Sequence, residues 1–499
     1  MHSRRHSHLG WALLSASLLS ACAVGPDYHR PEVATPENYR SAPQPATAAT
    51  DTLAAKPADA WWQGFNDPVL DKLVEAALAN NRDLQSAVAN VVRARGQLET
   101  TRAQFFPQLG AGAATARAQG SGIGSPVVVP TPGTIATVST MQLPATWQID
   151  LFGGTRRQVE AASATEAAAI ANRQAAALAV AGQMIDSYIM LRALDQQLVI
   201  TQQTLETYRQ TRHIFELRYK HGTANLVQLS QIQSQVDQAE ATIPPLKKAI
   251  AETENAINFL AGRNPGSVPR GKSITQLAIP TPPAGLPSEL LERRPDVMSA
   301  EQQLVAANAQ IGVAKAQYYP SISLTGVLGS SSTSLINLFS GPGKIWSVGA
   351  GATMPIFTAG AIAGQVTSAE AGQQMALAQY RKSVEAAFRD VDNALVGTTE
   401  YRKLVLARQQ QVTTLTTYAN LSNMQFNYGY SDYLTVLNAE ESQFRAQLQL
   451  VDAQRLEAGA IVGLYMALGG GWDAADKATL KANEPITQGP ANLAAPRSQ

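Results

Sequence analysis

The chain has 499 residues, 45% of them hydrophobic and 15% charged, with a formal net charge of +1. That balance leaves no basic excess to attract nucleic acid. One cysteine, Cys22, excludes a disulfide within a single chain, and with three of the six histidines inside the first eight residues no metal or other cofactor is expected.

The front of the chain reads as a secretory signal over 1–21. A polar start with Arg4 and Arg5 precedes a short apolar run, Leu9 to Leu19, too short to span a bilayer. Leu19-Ser20-Ala21-Cys22 resembles the bacterial lipobox. That resemblance implies cleavage before Cys22 and acylation there. Ala23, not an aspartate, favours sorting to the outer membrane in such lipoproteins. Residues 22–60, rich in Pro, Ala and Thr, read as a tether. Residues 475–499 read as a disordered tail.

Between these ends the chain repeats itself. RAQFFPQLGAGA (Arg102–Ala113) is echoed by KAQYYPSISLTG (Lys315–Gly326), and Pro107 and Pro320 lie 213 residues apart (320 − 107). Gly222 and Gly429 lie 207 apart (429 − 222), as do Gly262 and Gly469. A sustained offset implies duplication of one large unit. We place the first repeat at 61–275 and the second at 276–474. Each reads helix, strand hairpin, very long helix, tight turn, return helix.

The long helices carry heptad seams. In the first copy the seam is Leu191, Leu194, Leu198, Thr201, Leu205, Tyr208, Arg212, Phe215 and Tyr219. No proline interrupts Gly154 to His221, and a helix of that length would reach roughly 100 Å. Gly222 closes it. A return seam follows through Leu226, Leu229, Ile232, Val236, Ala239, Ile243, Leu246 and Ile250, with a kink or break expected at Pro244-Pro245. The second copy repeats this through Tyr401, Val405, Val412, Leu415 and Phe426, turns at Gly429, and returns along Leu434 and Leu437. The two seams of each copy predict an antiparallel helical hairpin.

The hairpins at about 107–150 and about 320–357 predict four strands, bounded at their helix junctions by Pro107 and Pro320. Ile345 to Ile356 alternates Trp346, Val348, Ala350, Ala352 and Met354 against Ser347, Gly349, Gly351 and Thr353. Period two with one apolar face suits a barrel strand facing lipid; a soluble half-buried sheet is the alternative. Phe105, Phe106, Tyr318, Tyr319 and Trp346 stand where an interfacial aromatic belt would lie. Four strands cannot close a barrel, and an open edge in lipid leaves backbone groups unsatisfied. A membrane chain of this kind must therefore oligomerise; two, three or four copies would give eight, twelve or sixteen strands.

Several short stretches, taken in order, carry a family likeness: ACAVGPDYHRPEV (Ala21–Val33), WWQGFNDPVLDKLVEAALANNRDL (Trp61–Leu84), DLFGG (Asp150–Gly154), RYKHGTANLVQL (Arg218–Leu229), ERRPDV (Glu292–Val297), PIFTAG (Pro355–Gly360) and ALGGGW (Ala467–Trp472). With them the chain resembles the outer-membrane factors, the TolC/OprM/NodT-like exit ducts, along nearly its whole mature length. The resemblance implies a mainly α fold with membrane β. Long antiparallel coiled-coil helices would form a trimeric α-barrel tunnel, and four strands per chain would join a shared 12-stranded outer-membrane β-barrel. It implies a homotrimer, lipid-anchored in the outer membrane, that passively passes drugs and toxic compounds. Its partners would be a periplasmic adaptor and an inner-membrane pump, usually of the resistance–nodulation–division class.

The resemblance also assigns residues. The turns Gly222-Thr223 and Gly429-Tyr430 would contact the adaptor and close the periplasmic tip. Positions where the family often carries a ring of acids are Thr435 and Asn438 here, with Gln231 the counterpart of Asn438. No carboxylate stands at them, which argues against an acidic selectivity ring. Asp432 is the nearest acid and reads as a helix cap. A tip held by polar hydrogen bonds and by Phe426, Tyr428, Tyr430 and Tyr433 is expected instead. The same duct could serve protein secretion (type I) or another transporter class. A periplasmic adaptor would show one hairpin rather than two. For an enzyme, neither a nucleophile elbow, a zinc-protease motif, a phosphate loop nor a metal-ligand cluster is expected.

Overall fold

The computed structural model describes residues 23–33, 39–40, 60–119, 135–280 and 293–470. The expected signal peptide, Cys22, most of the tether and the expected disordered tail lie outside the described residues. The elements are α1 (Pro68–Asn80), α2 (Arg82–Arg102), β1 (Gln108–Leu109), β2 (Gly112–Gln119), β3 (Ile135–Ile149), α3 (Gly154–Lys220), α4 (Leu226–Leu260), α5 (Pro295–Ala316), β4 (Ser321–Ser332), β5 (Lys344–Thr353), α6 (Ala361–Asn427) and α7 (Tyr433–Ala467). Helices α3 and α6 are each 67 residues long, and α4 and α7 are each 35. Both pairs start 207 residues apart (361 − 154; 433 − 226).

Local chemistry accounts for the helix ends. Asp150 of the DLFGG stretch accepts from the backbone N–H groups of Thr155 (3.1 Å) and Arg156 (2.9 Å), two of the orphan donors at the start of α3. Asn225 and Gln228 form a reciprocal capping box at the start of α4. The expected break at Pro244-Pro245 does not occur: α4 runs unbroken through both prolines. Both are exposed, so the carbonyls their missing N–H groups leave free, those of Glu240 and Ala241, face water rather than a dry core.

The strands form one antiparallel sheet. β1 and β2 both pair with β3, β3 pairs with β4, and β4 with β5. The first expected strand is therefore split, and the reason is Pro144 in β3. Its carbonyl accepts from Gly110 N–H at 2.9 Å, so its missing donor points at the same neighbour, and the ladder lapses at Gly110-Ala111 between β1 and β2. β4 runs from Ser321 to Ser332, and β5 stops at Thr353, leaving Met354 and Ile356 of the expected alternation off the strand.

Two compact units are present, and each draws on both halves of the chain. The first gathers the described residues within Met1–Glu32, Ala89–Ala171 and Ser299–Lys382. Here residues 24–30 are tied down along their length. Val24 N–H donates to Phe152 O (3.1 Å), Arg157 donates to Asp27 (2.6 Å), Asn308 donates to Pro26 O (2.9 Å), and Arg30 pairs with Glu301 (3.0 Å). Gly25, at φ +105°, lies against Gly312: a Cβ there would meet the Gly312 Cα at 2.5 Å.

The second unit gathers the described residues within Val33–Val88, Asn172–Met298 and Ser383–Gln499. Its core packs Leu70, Val74 and Ala77 of α1 against Met184, Ile185 and Tyr188 of α3, Ile257 of α4 and Val462 of α7. Trp61 stacks on Tyr465 at 4.7 Å. Asp67, 0% exposed, is the polar hub of this core. Its carboxylate accepts from Tyr188 OH (2.8 Å), Lys272 N–H (2.9 Å) and Val69 N–H (2.9 Å). Asp67→Ala would strand these donors and is expected to cost on the order of 3 kcal/mol, read as a fall in thermal unfolding temperature.

Candidate functional site

The two helical turns share one design. At the first, Gly222 takes φ +74° and its N–H donates to Tyr219 O (3.0 Å), while Thr223 N–H reaches back to Arg218 O (2.8 Å). At the second, Gly429 takes φ +81° and donates to Phe426 O (3.0 Å), while Tyr430 N–H reaches Gln425 O (2.8 Å). Each turn thus satisfies carbonyls at its helix end, and the left-handed backbone selects glycine. Asp432 caps α7, accepting from Thr435 N–H (3.0 Å) and Thr435 Oγ1 (3.1 Å).

Behind the turns lies a core of Leu205, Tyr208, Phe215, Ile232, Val236, Ala239, Tyr433, Val436 and Leu437. Phe215, Phe426 and Tyr433 meet at its end. Ring centroids are 4.3 Å apart for Phe215 and Tyr433, and 5.2 Å for Phe426 and Tyr433. The Arg218 guanidinium lies over Phe426 (5.3 Å) and Phe215 (5.6 Å), a cation–π contact. Of the four aromatics expected at the tip, Phe426 and Tyr433 join this cluster, while Tyr428 and Tyr430 stand exposed. Gln231 is half-buried and Asn438 exposed, and neither side chain makes a hydrogen bond among the described residues.

Sequence reasoning passed over three features here. Phe215 lay in the seam but was not assigned to the tip, and Arg218, three residues on, gave the signal. Glu440 is half-buried on α7, its Oε2 without a hydrogen-bond partner among the described residues. Burial pushes its carboxyl up to about 7 from the usual 4.5. Finally, Gly266 to Ser273 spells the phosphate-loop string, contrary to expectation. The fold rejects it as a phosphate site: helix α4, not a strand, precedes it, and among the described residues no helix starts from it. Gly271 N–H is taken by Tyr188 OH (3.0 Å) and Lys272 N–H by the Asp67 carboxylate, whose charge would repel a phosphate.

The sheet has two unlike faces. Across all four lanes Leu109, Ala145, Gly326 and Val348 form one row, and the neighbouring row on the opposite face is Gln108, Thr146, Thr325 and Gly349. The apolar face continues through Leu143, Leu328 and Trp346. It is bare: Leu109 is 81% exposed and Trp346 77%. Each such side chain forgoes about 1.5–3 kcal/mol of burial, so this face calls for an apolar cover. β5 and the β1–β2 lane pair on one side only among the described residues.

Comparison with known proteins agrees with this architecture. The family model described as outer membrane efflux protein matches residues 73–263 and 286–470. The chain is 33% identical over 468 residues to the solvent efflux pump outer membrane protein SrpC of Pseudomonas putida, covering 91% of this chain and 96% of that one. It is 30% identical over 458 residues to the cation efflux system protein CusC of Escherichia coli K12, covering 91% and 98%. The open-state crystal structure of the Neisseria gonorrhoeae MtrE outer membrane channel superposes with a TM-score of 0.80 at 30% identity, covering 90% and 98%. The long helix pairs, the paired glycine turns and the two-faced sheet are those of a chain that belongs to the outer membrane efflux protein family.

Proposed function

We infer that this outer-membrane efflux duct works as a homotrimer. Three copies would supply twelve strands to one barrel and their helices to one tunnel. The observation that carries this is the four-lane sheet, apolar and bare on one face, polar on the other and, among the described residues, unpaired at both edges. In hydrocarbon every unpaired edge group costs several kcal/mol, so the sheet must close with further copies.

The cargo we propose is drugs and toxic amphiphiles, driven by an inner-membrane pump of the resistance–nodulation–division class. Transport through the duct is passive. A periplasmic adaptor would meet the turns Gly222-Thr223 and Gly429-Tyr430, where Leu226, Val227, Tyr428 and Tyr430 stand exposed. Gln231, Phe426, Asp432, Tyr433, Thr435 and Asn438 would form the periplasmic gate. Cys22 would carry the lipid. In support, Val24 N–H, two residues on, donates to Phe152 O in the turn between β3 and α3, and Phe152 stacks on Tyr319 at 4.9 Å.

The test is accumulation of a fluorescent pump substrate in cells lacking the protein and in the same cells complemented with it. Accumulation should rise on deletion and fall on complementation. Unchanged accumulation across several dyes, with altered secreted proteins instead, would overturn the drug-efflux reading in favour of a secretion exit.

A further inference from the structure

We propose that the far end of the apolar sheet face is a headgroup-binding rim, in which Lys344, beside Trp346 on one edge lane, and Arg117, on the other, take the phosphates of outer-leaflet lipid. This rests on the reading of the sheet as part of a membrane barrel.

The five strands carry two charged side chains, Arg117 and Lys344. Both are cations, and both stand on the apolar face. The pairing Met141–Ser330–Lys344 adjoins the apolar row Leu143–Leu328–Trp346 two residues along each strand, which keeps the face. Arg117 lies four residues beyond Ala113, the partner of Met141, and so shares it. Both cations also stand at the same end, distal to α3 and α5: Lys344 opens β5 and Arg117 closes on the end of β2. Around them the face changes from apolar to hydroxyl-bearing, with Ser139, Ser330 and Ser332.

Their height fits a boundary. From Ile322 to Ser330, the partner of Lys344, is eight residues, about 26 Å along the strand at about 3.3 Å each. From Ile149 to Thr137, the partner of Arg117, is twelve, or about 40 Å. At a tilt of about 40° these become about 20 and 30 Å, bracketing the roughly 25 Å height of an outward apolar band. A cation at mid-membrane costs about 2–4 kcal/mol but little at the interface, so this level is the one that tolerates them.

Among the described residues no protein group supplies the counter-charge. Both side chains are exposed, and neither has an ion pair or hydrogen bond among the described residues. Nor can a neighbouring copy's hairpins help: the sequence from Pro107 to Ile149 and from Pro320 to Phe357 contains no aspartate or glutamate at all. Two stranded cations at one end of the sheet, Lys344 beside Trp346 on β5 and Arg117 on the opposite edge lane, with no acid within either hairpin, complement anionic headgroups.

The full-length protein, purified in neutral detergent, is offered vesicles of phosphatidylcholine alone or with diphosphoryl lipid A, and the lipid retained is measured at low and high salt. Wild type should prefer the phosphate-rich vesicles, and the preference should fade with salt. Arg117→Gln and Lys344→Gln should each weaken it about fivefold, and Lys344→Arg should keep it. Equal insertion of wild type into both vesicles, or a preference that survives the double Gln variant, overturns the rim while leaving the barrel standing. Insertion into neither overturns the barrel reading itself. If a Gln variant fails to fold, Arg117→Lys and Lys344→Arg replace it: loss of the preference in both would overturn the charge-based account.

Discussion

Phe215→Ala is expected to raise the resting conductance of the reconstituted channel several-fold and to lower its thermal stability. Phe215 is 3% exposed and holds three partners at once: Tyr433 and Phe426 by ring contact, and Arg218 above its face. Emptying such a site costs about 3–5 kcal/mol through lost transfer energy and the cavity left behind. The ring pair and the cation add specific geometry that alanine cannot replace. Because the cluster joins α3, α6 and α7 directly behind the turns, its loss frees the tips rather than the sheet. Asn438→Ala should also raise conductance, but less, since the Asn438 side chain makes no hydrogen bond among the described residues. Planar-bilayer recording of the two variants beside wild type decides the matter. A Phe215→Ala channel with wild-type resting conductance would remove the aromatic cluster from the gate.

Glu440→Gln should stabilise the protein at pH 8 by about 2 kcal/mol and do little at pH 4.5. The Glu440 carboxyl is held up at about 7 by burial beside Tyr208 of α3 and Tyr433 of its own helix. A folded pKa above the unfolded value means that the native state binds the extra proton between them. Stability from this group is therefore greatest below about pH 4.5, falls as the pH rises toward 7, and is flat above. A shift of that size corresponds to about 3 kcal/mol at most, reduced by the residue's partial exposure. Glutamine keeps the shape and sheds the titration. Unfolding temperatures of wild type and variant, measured from pH 4.5 to 8, should diverge as the pH rises. A constant difference would mean that the carboxyl ionises in contact with water.

What the chain declares by itself is whatever depends on near neighbours. Heptad spacing and the absence of proline set two helices of 67 residues, and glycines at 222 and 429 end them, because only glycine takes the positive φ of the turn without strain. Alternation marked the strands, and Asp432 was readable as a cap. Pro144 was visible in the sequence too, but its effect depends on which neighbour its missing donor faces, and that direction belongs to the sheet. The tertiary structure alone decided that β3 joins β4, merging two hairpins into one sheet, and that each compact unit mixes both repeats. It alone put Asp67 at the centre of three donors, 205 residues from Lys272, and so turned a phosphate-loop string into a structural linker. It also buried the Glu440 carboxyl, with Tyr208 and Tyr433 within its electrostatic reach. The physical reason is common to all of these: a turn or a cap draws its energy from atoms a few residues away, whereas burial, cross-lane pairing and the fate of a buried charge depend on which distant faces meet.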